Sequence, residues 1–169
     1  MNQFVVMGVS GCGKSSVAAL LAQKTGGVFL DADDFHPAPN KAKMAAAIPL
    51  SDEDRWPWLD VLNAEFKRRD AAGETVFFAC SALRQVYRDR LASSIPGLRF
   101  IFLQGTKELI HSRMTTRENH FMPTALLDSQ FATLEEPADA LVAQISDPLD
   151  VIVEKLLPAV ASVCDRRIF

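Results

Sequence analysis

A lysine and a serine closing the glycine-rich run Gly8-Val9-Ser10-Gly11-Cys12-Gly13-Lys14-Ser15 are the residues of this chain whose types and spacing point most directly to chemistry. They fit the pattern GxxxxGK(S/T), in which glycines let a loop fold back so that successive backbone N–H groups face phosphate oxygens. The positive end of the helix that follows adds to that field. On this reading Gly8, Ser10, Gly11, Cys12, Gly13, Lys14, Ser15 and Ser16 surround a nucleotide's phosphates. Lys14 reaches the β- and γ-phosphates, and the Ser15 hydroxyl takes one magnesium position. A plain strand-to-helix turn has no need of Lys-Ser at this spacing. Cys12 inside the loop reads as a small side chain that fits rather than as an oxidisable thiol.

The next acids are Asp31 and Asp33, which in an extended chain project to one side and so face the loop together. Phosphoryl transfer needs a magnesium site and a group that orients or deprotonates the attacking hydroxyl. The run Phe77-Phe78-Ala79-Cys80-Ser81 carries no terminal acid to hold the metal, which moves that task to Asp31 and leaves Asp33 as the base. Acids after a strand also serve as turn formers or caps.

Further along, His36, Asn40, Lys43, Asp52, Asp54 and Arg55 supply what a polyhydroxy acid requires: a guanidinium or ammonium for its carboxylate, and mixed donors and acceptors for its hydroxyls. Arg55, helped by His36 and Lys43, is the candidate for those contacts. Ser81, Arg84 and Arg88 form a second candidate wall, although Arg88 with Asp89 reads equally as a structural ion pair. Arg113 and Arg117, four apart, share a helix face. Arg113 suits stacking on the nucleotide base, and Arg117 suits neutralising the transferred phosphoryl group. His120 either touches substrate or closes a lid. No histidine has a partner at zinc-ligand spacing.

These residues need a scaffold that gathers them. Apolar runs at Phe4–Met7, Val28–Leu30, Thr75–Cys80, Leu98–Leu103 and Ala140–Ile145 read as strands. Between and around them lie helical patterns at Lys14–Thr25, Asp54–Ala72, Leu83–Ser93, Lys107–Thr116, Pro123–Phe131 and Pro148–Val163. Such alternation predicts an α/β fold, a parallel sheet with helices on both faces, whose ligands bind beyond the carboxyl ends of the strands. His36–Asp54, with three prolines, and Arg117–Pro123 read as irregular, substrate-covering segments. No repeat or linker divides the chain, so residues 1–169 are expected to form one domain.

Composition bounds the remaining classes. The chain has 169 residues, 49% hydrophobic and 23% charged, which fits an ordinary globular domain. A net charge of −3 and a pI near 5.6 argue against a nucleic-acid partner. Three widely spaced cysteines, and no signal peptide or membrane span, point to a reducing, cytoplasmic setting.

Several separate strings coincide with one family. They are Gly8-Val9-Ser10-Gly11 with Gly13-Lys14-Ser15-Ser16; His36-Pro37 with Asn40 and Lys43-Met44; and Pro49-Leu50, Asp52, Asp54-Arg55 and Pro57-Trp58-Leu59. To these add Cys80-Ser81-Ala82-Leu83 with Tyr87-Arg88-Asp89, then Arg113-Met114, Arg117, His120-Phe121-Met122-Pro123, Leu126-Leu127, Ser129-Gln130 and Thr133-Leu134-Glu135 with Pro137. On these strings, from about Phe4 to Pro148, the chain resembles the gluconokinases of the short phosphate-loop type. The resemblance implies transfer of the γ-phosphoryl group of ATP to the 6-hydroxyl of D-gluconate, with Mg2+. It also implies a P-loop NTPase fold of the nucleoside-monophosphate-kinase and shikimate-kinase type, with a five-stranded parallel sheet in the order 2-3-1-4-5, a mobile lid at about 117–123, a substrate-covering segment at about 36–58, and a homodimer.

Three positions depart from that family's usual pattern. Ala32 and Ala47 stand where glycines are usual, and Gln144 where an aspartate is frequent. An alanine forced to positive φ would be strained. Kinases of the same fold acting on shikimate, adenylylsulfate or a nucleoside are the rival enzymatic readings. A nucleotide-dependent switch is the non-catalytic one, although no Asn-Lys-x-Asp guanine-reading string occurs.

Overall fold

Period-two alternation in the central strands decides the layering. Phe4 and Val6 of β1 (Gln3–Met7) enter one core, and Val5 and Met7 enter the other. Phe77 and Ala79 of β3 (Val76–Ala79) part from Val76 and Phe78 in the same way. Burial on both faces is why these runs read as continuously apolar. The computed structural model describes residues 2–116 and 124–165. With β2 (Val28–Asp31), β4 (Arg99–Gln104) and β5 (Leu141–Gln144), the central pair forms a parallel five-stranded sheet in the order β2-β3-β1-β4-β5, as the family resemblance implies.

Helices cover both faces. Against Phe4 and Val6 lie α1 (Lys14–Thr25), through Val17, Ala18 and Leu21, and α7 (Leu149–Asp165), through Ile152, Val153, Leu156 and Val160. The opposite face carries α3 (Asp52–Ala71) and α4 (Gln85–Ala92). Leu59, Leu62 and Phe66 of α3 are fully buried, and at roughly 1.5–3 kcal/mol each they far outweigh one helix cap at about 1 kcal/mol. The cap therefore decides where α3 starts, not whether it forms. Ser51 Oγ accepts the Asp54 N–H at 3.1 Å and Asp54 Oδ2 accepts the Ser51 N–H at 2.9 Å, which begins α3 at Asp52, two residues earlier than the sequence pattern predicts.

A second difference lies in the stretch expected to be irregular. It holds α2 (Ala38–Ala45), with Pro37 at the N-cap and Pro39 in the first turn. Prolines there remove only N–H groups that have no partner inside the helix, so they begin α2 rather than preventing it. Two further helices, α5 (Lys107–Thr115) and α6 (Thr124–Thr133), reach the core through Ile110 and Leu127. Among the described residues no helix is long and apolar enough to cross a membrane.

Candidate active site

All five strands are parallel, so their carboxyl ends share one edge, and the candidate residues emerge there. The phosphate-loop run leaves β1 at Gly8, whose N–H donates to the Ser81 carbonyl after β3 at 3.3 Å. Gly8, Gly11 and Gly13 have φ of +148°, +79° and +95°, backbone that side chains rarely adopt. A Cβ on Gly11 would also fall 2.7 Å from Met114 Sδ, so the last turn of α5, with Arg113, sits over the loop. Gly13 caps α1 and leaves the N–H groups of its first turn free for a ligand, with Ser15 and Ser16 exposed beside them. Lys14 Nζ donates to the Val9 carbonyl at 3.0 Å, folded over the loop it would serve. Cys12 is buried, and burial raises its thiol pKa, which makes it a packing group.

The two acids converge for a different reason than the extended-chain argument gives. The chain does not stay extended after β2: Ala32–Phe35 is a 3-10 turn, and Asp31 Oδ1 caps it by accepting the Asp33 N–H at 2.9 Å. Both acids nevertheless stay at the carboxyl edge, where Asp31 ends β2 beside Ala79 of β3 and Asp33 follows in the turn. Asp31, Asp33 and Lys14 all act on the Cys80 thiol, which burial pushes up to about 12. Cys80 continues β3, its N–H donating to the Val6 carbonyl of β1 at 3.1 Å, so the loop that follows β1 and the acids that follow β2 leave the sheet on either side of the end of β3. Burial, foremost, raises the Asp31 pKa. Asp33 is lowered, mainly through His36, and its carboxylate is 67% exposed. The oxygen donors offered by Ser15 and by the remaining Asp31 oxygen suit a hard divalent cation such as Mg2+.

His36, expected to contact substrate, lies behind Asp33 instead. Its side chain is 3% exposed and stacks on Trp58 with ring centroids 4.1 Å apart. Asn40 Nδ2 donates to the Asp54 carbonyl at 2.9 Å, which fixes the orientation of that amide, and its other hydrogen goes to His36 Nδ1 at 3.2 Å. A ring nitrogen that accepts carries no proton, so the neutral imidazole is protonated on Nε2, the atom 3.6 Å from Asp33 Oδ1. Trp58 Nε1 in turn donates to the Ala32 carbonyl at 2.8 Å. His36 and Trp58 together fix the turn that presents Asp33.

On the opposite wall, Arg55 and Arg84 flank the Tyr87 ring at 5.3 and 5.5 Å. Arg84 Nη1 donates to Asp52 Oδ2 at 2.6 Å, and the Tyr87 hydroxyl donates to Asp52 Oδ1. Arg55 donates to the Leu50 carbonyl. Ser81 is half-buried at the rim. Lys43 is paired with Asp54 at 2.7 Å, a contact that holds the Asp54 carboxyl at about 2.

Arg88 is not a wall residue. It is 2% exposed, donates to the carbonyls of Ala82, Leu83 and Glu135 and to the Gln85 side chain, and leaves Nε unpaired. Burial lowers its pKa. It braces the bend at Ala82, where φ is +45°. Arg117, His120 and the expected lid at 117–123 lie outside the described residues. One contact has no signal in residue type or spacing: Gln130 of α6 bonds twice to Ser10 of the loop.

The chain matches the family model described as an AAA domain over residues 4–137. It is 44% identical to the thermosensitive gluconokinase of Escherichia coli (strain K12), over 99% of this chain and 91% of that protein. It is 42% identical to the gluconokinase of Arabidopsis thaliana, over 93% and 91%. A solved gluconokinase from Sinorhizobium meliloti 1021 superimposes with a TM-score of 0.85 at 43% identity, covering 98% of this chain and 94% of that one. An APS kinase from Mycobacterium tuberculosis (TM-score 0.70, 18% identity, 95% and 98% covered) and a shikimate kinase from Bacteroides thetaiotaomicron (0.65, 13%, 94% and 98%) share the fold.

Proposed function

The chain belongs to the gluconokinase family, and from that membership we propose that it uses ATP to phosphorylate D-gluconate at the 6-hydroxyl, giving 6-phospho-D-gluconate and ADP. The observation that carries the chemistry is that the glycine loop with Lys14 leaves β1, and Asp31 and Asp33 leave β2, at the same carboxyl edge of the parallel sheet. Loop N–H groups and Lys14 bind the phosphates, with Lys14 exchanging the Val9 carbonyl for phosphate oxygens. Ser15 and Asp31 would hold Mg2+, which would supply charge neutralisation for the phosphates. Asp33 accepts the proton of the 6-hydroxyl as its oxygen attacks the γ-phosphorus in line and the bond to ADP breaks.

Arg55 and Arg84 present two guanidinium groups around Asp52, which is hydrogen-bonded to Arg84 at 2.6 Å and lies 4.0 Å from Arg55. Glu135 lies 3.5 Å from Arg84 as well, so the gluconate carboxylate binds by exchanging with these side-chain carboxylates for the guanidinium N–H groups, and Ser81 adds a hydroxyl. Arg113 takes the adenine, Arg117 the phosphates, and His120 the substrate side. The same reading makes residues 1–169 one kinase domain that works as a cytoplasmic homodimer, with segments 36–58 and 117–123 excluding water. A coupled ADP-release assay against gluconate, shikimate, adenylylsulfate and nucleosides tests it. Gluconate alone should stimulate turnover, and stimulation by another acceptor in its place would overturn the assignment.

A further inference from the structure

Gln130 has no part in the chemistry above, yet it makes the most specific side-chain contact with the phosphate loop. Its Oε1 accepts the Ser10 N–H at 2.6 Å and its Nε2 donates to Ser10 Oγ at 2.9 Å, across 120 residues of sequence. One hydrogen bond to the peptide N–H lets the plane swing, whereas a second from the same planar carboxamide to the Ser10 hydroxyl restricts that motion. We propose that Gln130 is a positioning residue for ATP: it holds the Ser10 peptide so that the loop's remaining N–H groups face the phosphates, and so couples the loop to α6.

The carboxamide is itself firmly mounted. Leu127, one turn earlier, is 1% exposed and shares a core with Val9 and Cys12 of the loop. Asp128 pairs with Lys107 of α5 at 2.9 Å. Beyond α6 the chain reaches the other side of the site, where the Glu135 N–H donates to the Leu83 carbonyl at 2.8 Å and the Glu135 carbonyl accepts from Arg88 at 2.7 Å. Residues 130–135 therefore span from the phosphate loop to the bend that carries Ser81 and Arg84. Ser10, expected from the loop pattern to bind nucleotide, has both polar groups turned to α6. Facing a phosphate would break the 2.6 Å bond.

The inference rests on the loop being the ATP site. Its test is Gln130→Met, which keeps length and helix propensity and removes both bonds, with Ser10→Ala and the double variant. Binding of the β,γ-imido analogue of ATP is read by calorimetry, and kcat and KM for ATP and gluconate by the coupled assay. Gln130→Met should weaken analogue binding and kcat/KM for ATP by about tenfold, the effect of losing a pair of bonds at a half-buried amide. KM for gluconate should stay within about twofold and Tm within about 2 °C. Ser10→Ala should cost less, and nothing further once Gln130 is gone.

An analogue Kd within about twofold of wild type in Gln130→Met, or two losses that simply multiply, would overturn the proposal. Wild-type protein that does not bind the analogue overturns it together with the ATP assignment. Wild-type protein that binds the analogue but ignores gluconate overturns only the acceptor, and the analogue Kd values still decide the role of Gln130.

Discussion

Replacing Ala47 by glycine should stabilise the protein, and the size of the gain follows from the end of α2. The Ala47 N–H donates to the Met44 carbonyl at 3.1 Å and the Ile48 N–H to the Lys43 carbonyl at 2.8 Å, the paired bonds of a Schellman motif with Ala47 at its left-handed position. Ala47 has φ of +55° and is exposed, so it bears the steric cost of its Cβ and gains no burial in return. That cost is about 1–2 kcal/mol, against which glycine loses about 0.4–1 kcal/mol by freeing the unfolded chain. The net gain is about 0.8 kcal/mol, or roughly 2–3 °C in Tm for a chain of this length. Calorimetric and urea unfolding would measure it, with Ala42→Gly inside the helix as a control expected to lose about 1 kcal/mol. An Ala47→Gly protein whose Tm is unchanged or lower would refute the reasoning, because no contact of the methyl group offsets the strain.

Two further outcomes can be checked. Asp33→Asn should lower kcat by about 10²–10⁴ while analogue binding stays within about twofold, measured by the coupled assay and calorimetry; near-normal turnover would remove Asp33 as base. Glu65 accepts hydrogen bonds from Arg68 and Arg69, foremost from Arg68, which hold its carboxyl at about 2 against an ordinary 4.5. A depressed carboxylate stabilises the fold above its unfolded pKa and loses that contribution as pH falls through the folded one. The stability deficit of Glu65→Gln, measured by denaturant unfolding, should therefore be fully present at neutral pH, shrink below about pH 4.5 and vanish near pH 2.

What could be read from the sequence was what local chemistry determines. Glycines at Gly8, Gly11 and Gly13 followed by Lys-Ser have few uses other than a folded-back loop, and all three do take positive φ. Doubly buried strands carry a continuous apolar signature, which located β1, β3 and β4 within a residue or two. The two alanines at usual glycine positions show where that kind of reading stops. Both were candidates for strain, but only Ala47 is left-handed. Ala32 is buried in the 3-10 turn, where its carbonyl receives Trp58. Residue type signals that a glycine has been replaced, but the backbone conformation that decides the cost is set by neighbours far along the chain.

The same distinction explains why His36 and Arg88, read from the sequence as substrate contacts, are packed supports, while Asp31 and Asp33 stand at the carboxyl edge on a 3-10 turn rather than on an extended chain. A charged or polar side chain near a strand end looks alike in sequence whether it faces the cleft or supports it. The difference is the depth to which it is packed, and that depends on Trp58 for His36 and on the Glu135 carbonyl for Arg88. Gln130 is the extreme case, because its meaning lies wholly in a partner 120 residues away. Buried polar groups are mostly hydrogen-bonded, and Trp58 beside His36, Arg88 and Gln130 each reach a backbone group of a segment that carries reactive residues: the turn before Asp33, the bend after Ser81 and the phosphate loop. Because these contacts are to backbone, substitution of a supporting residue should disturb the orientation of its reactive neighbour more than the charge balance of the site. That makes kcat and KM profiles, more than residue identity, the means of telling the two kinds of residue apart.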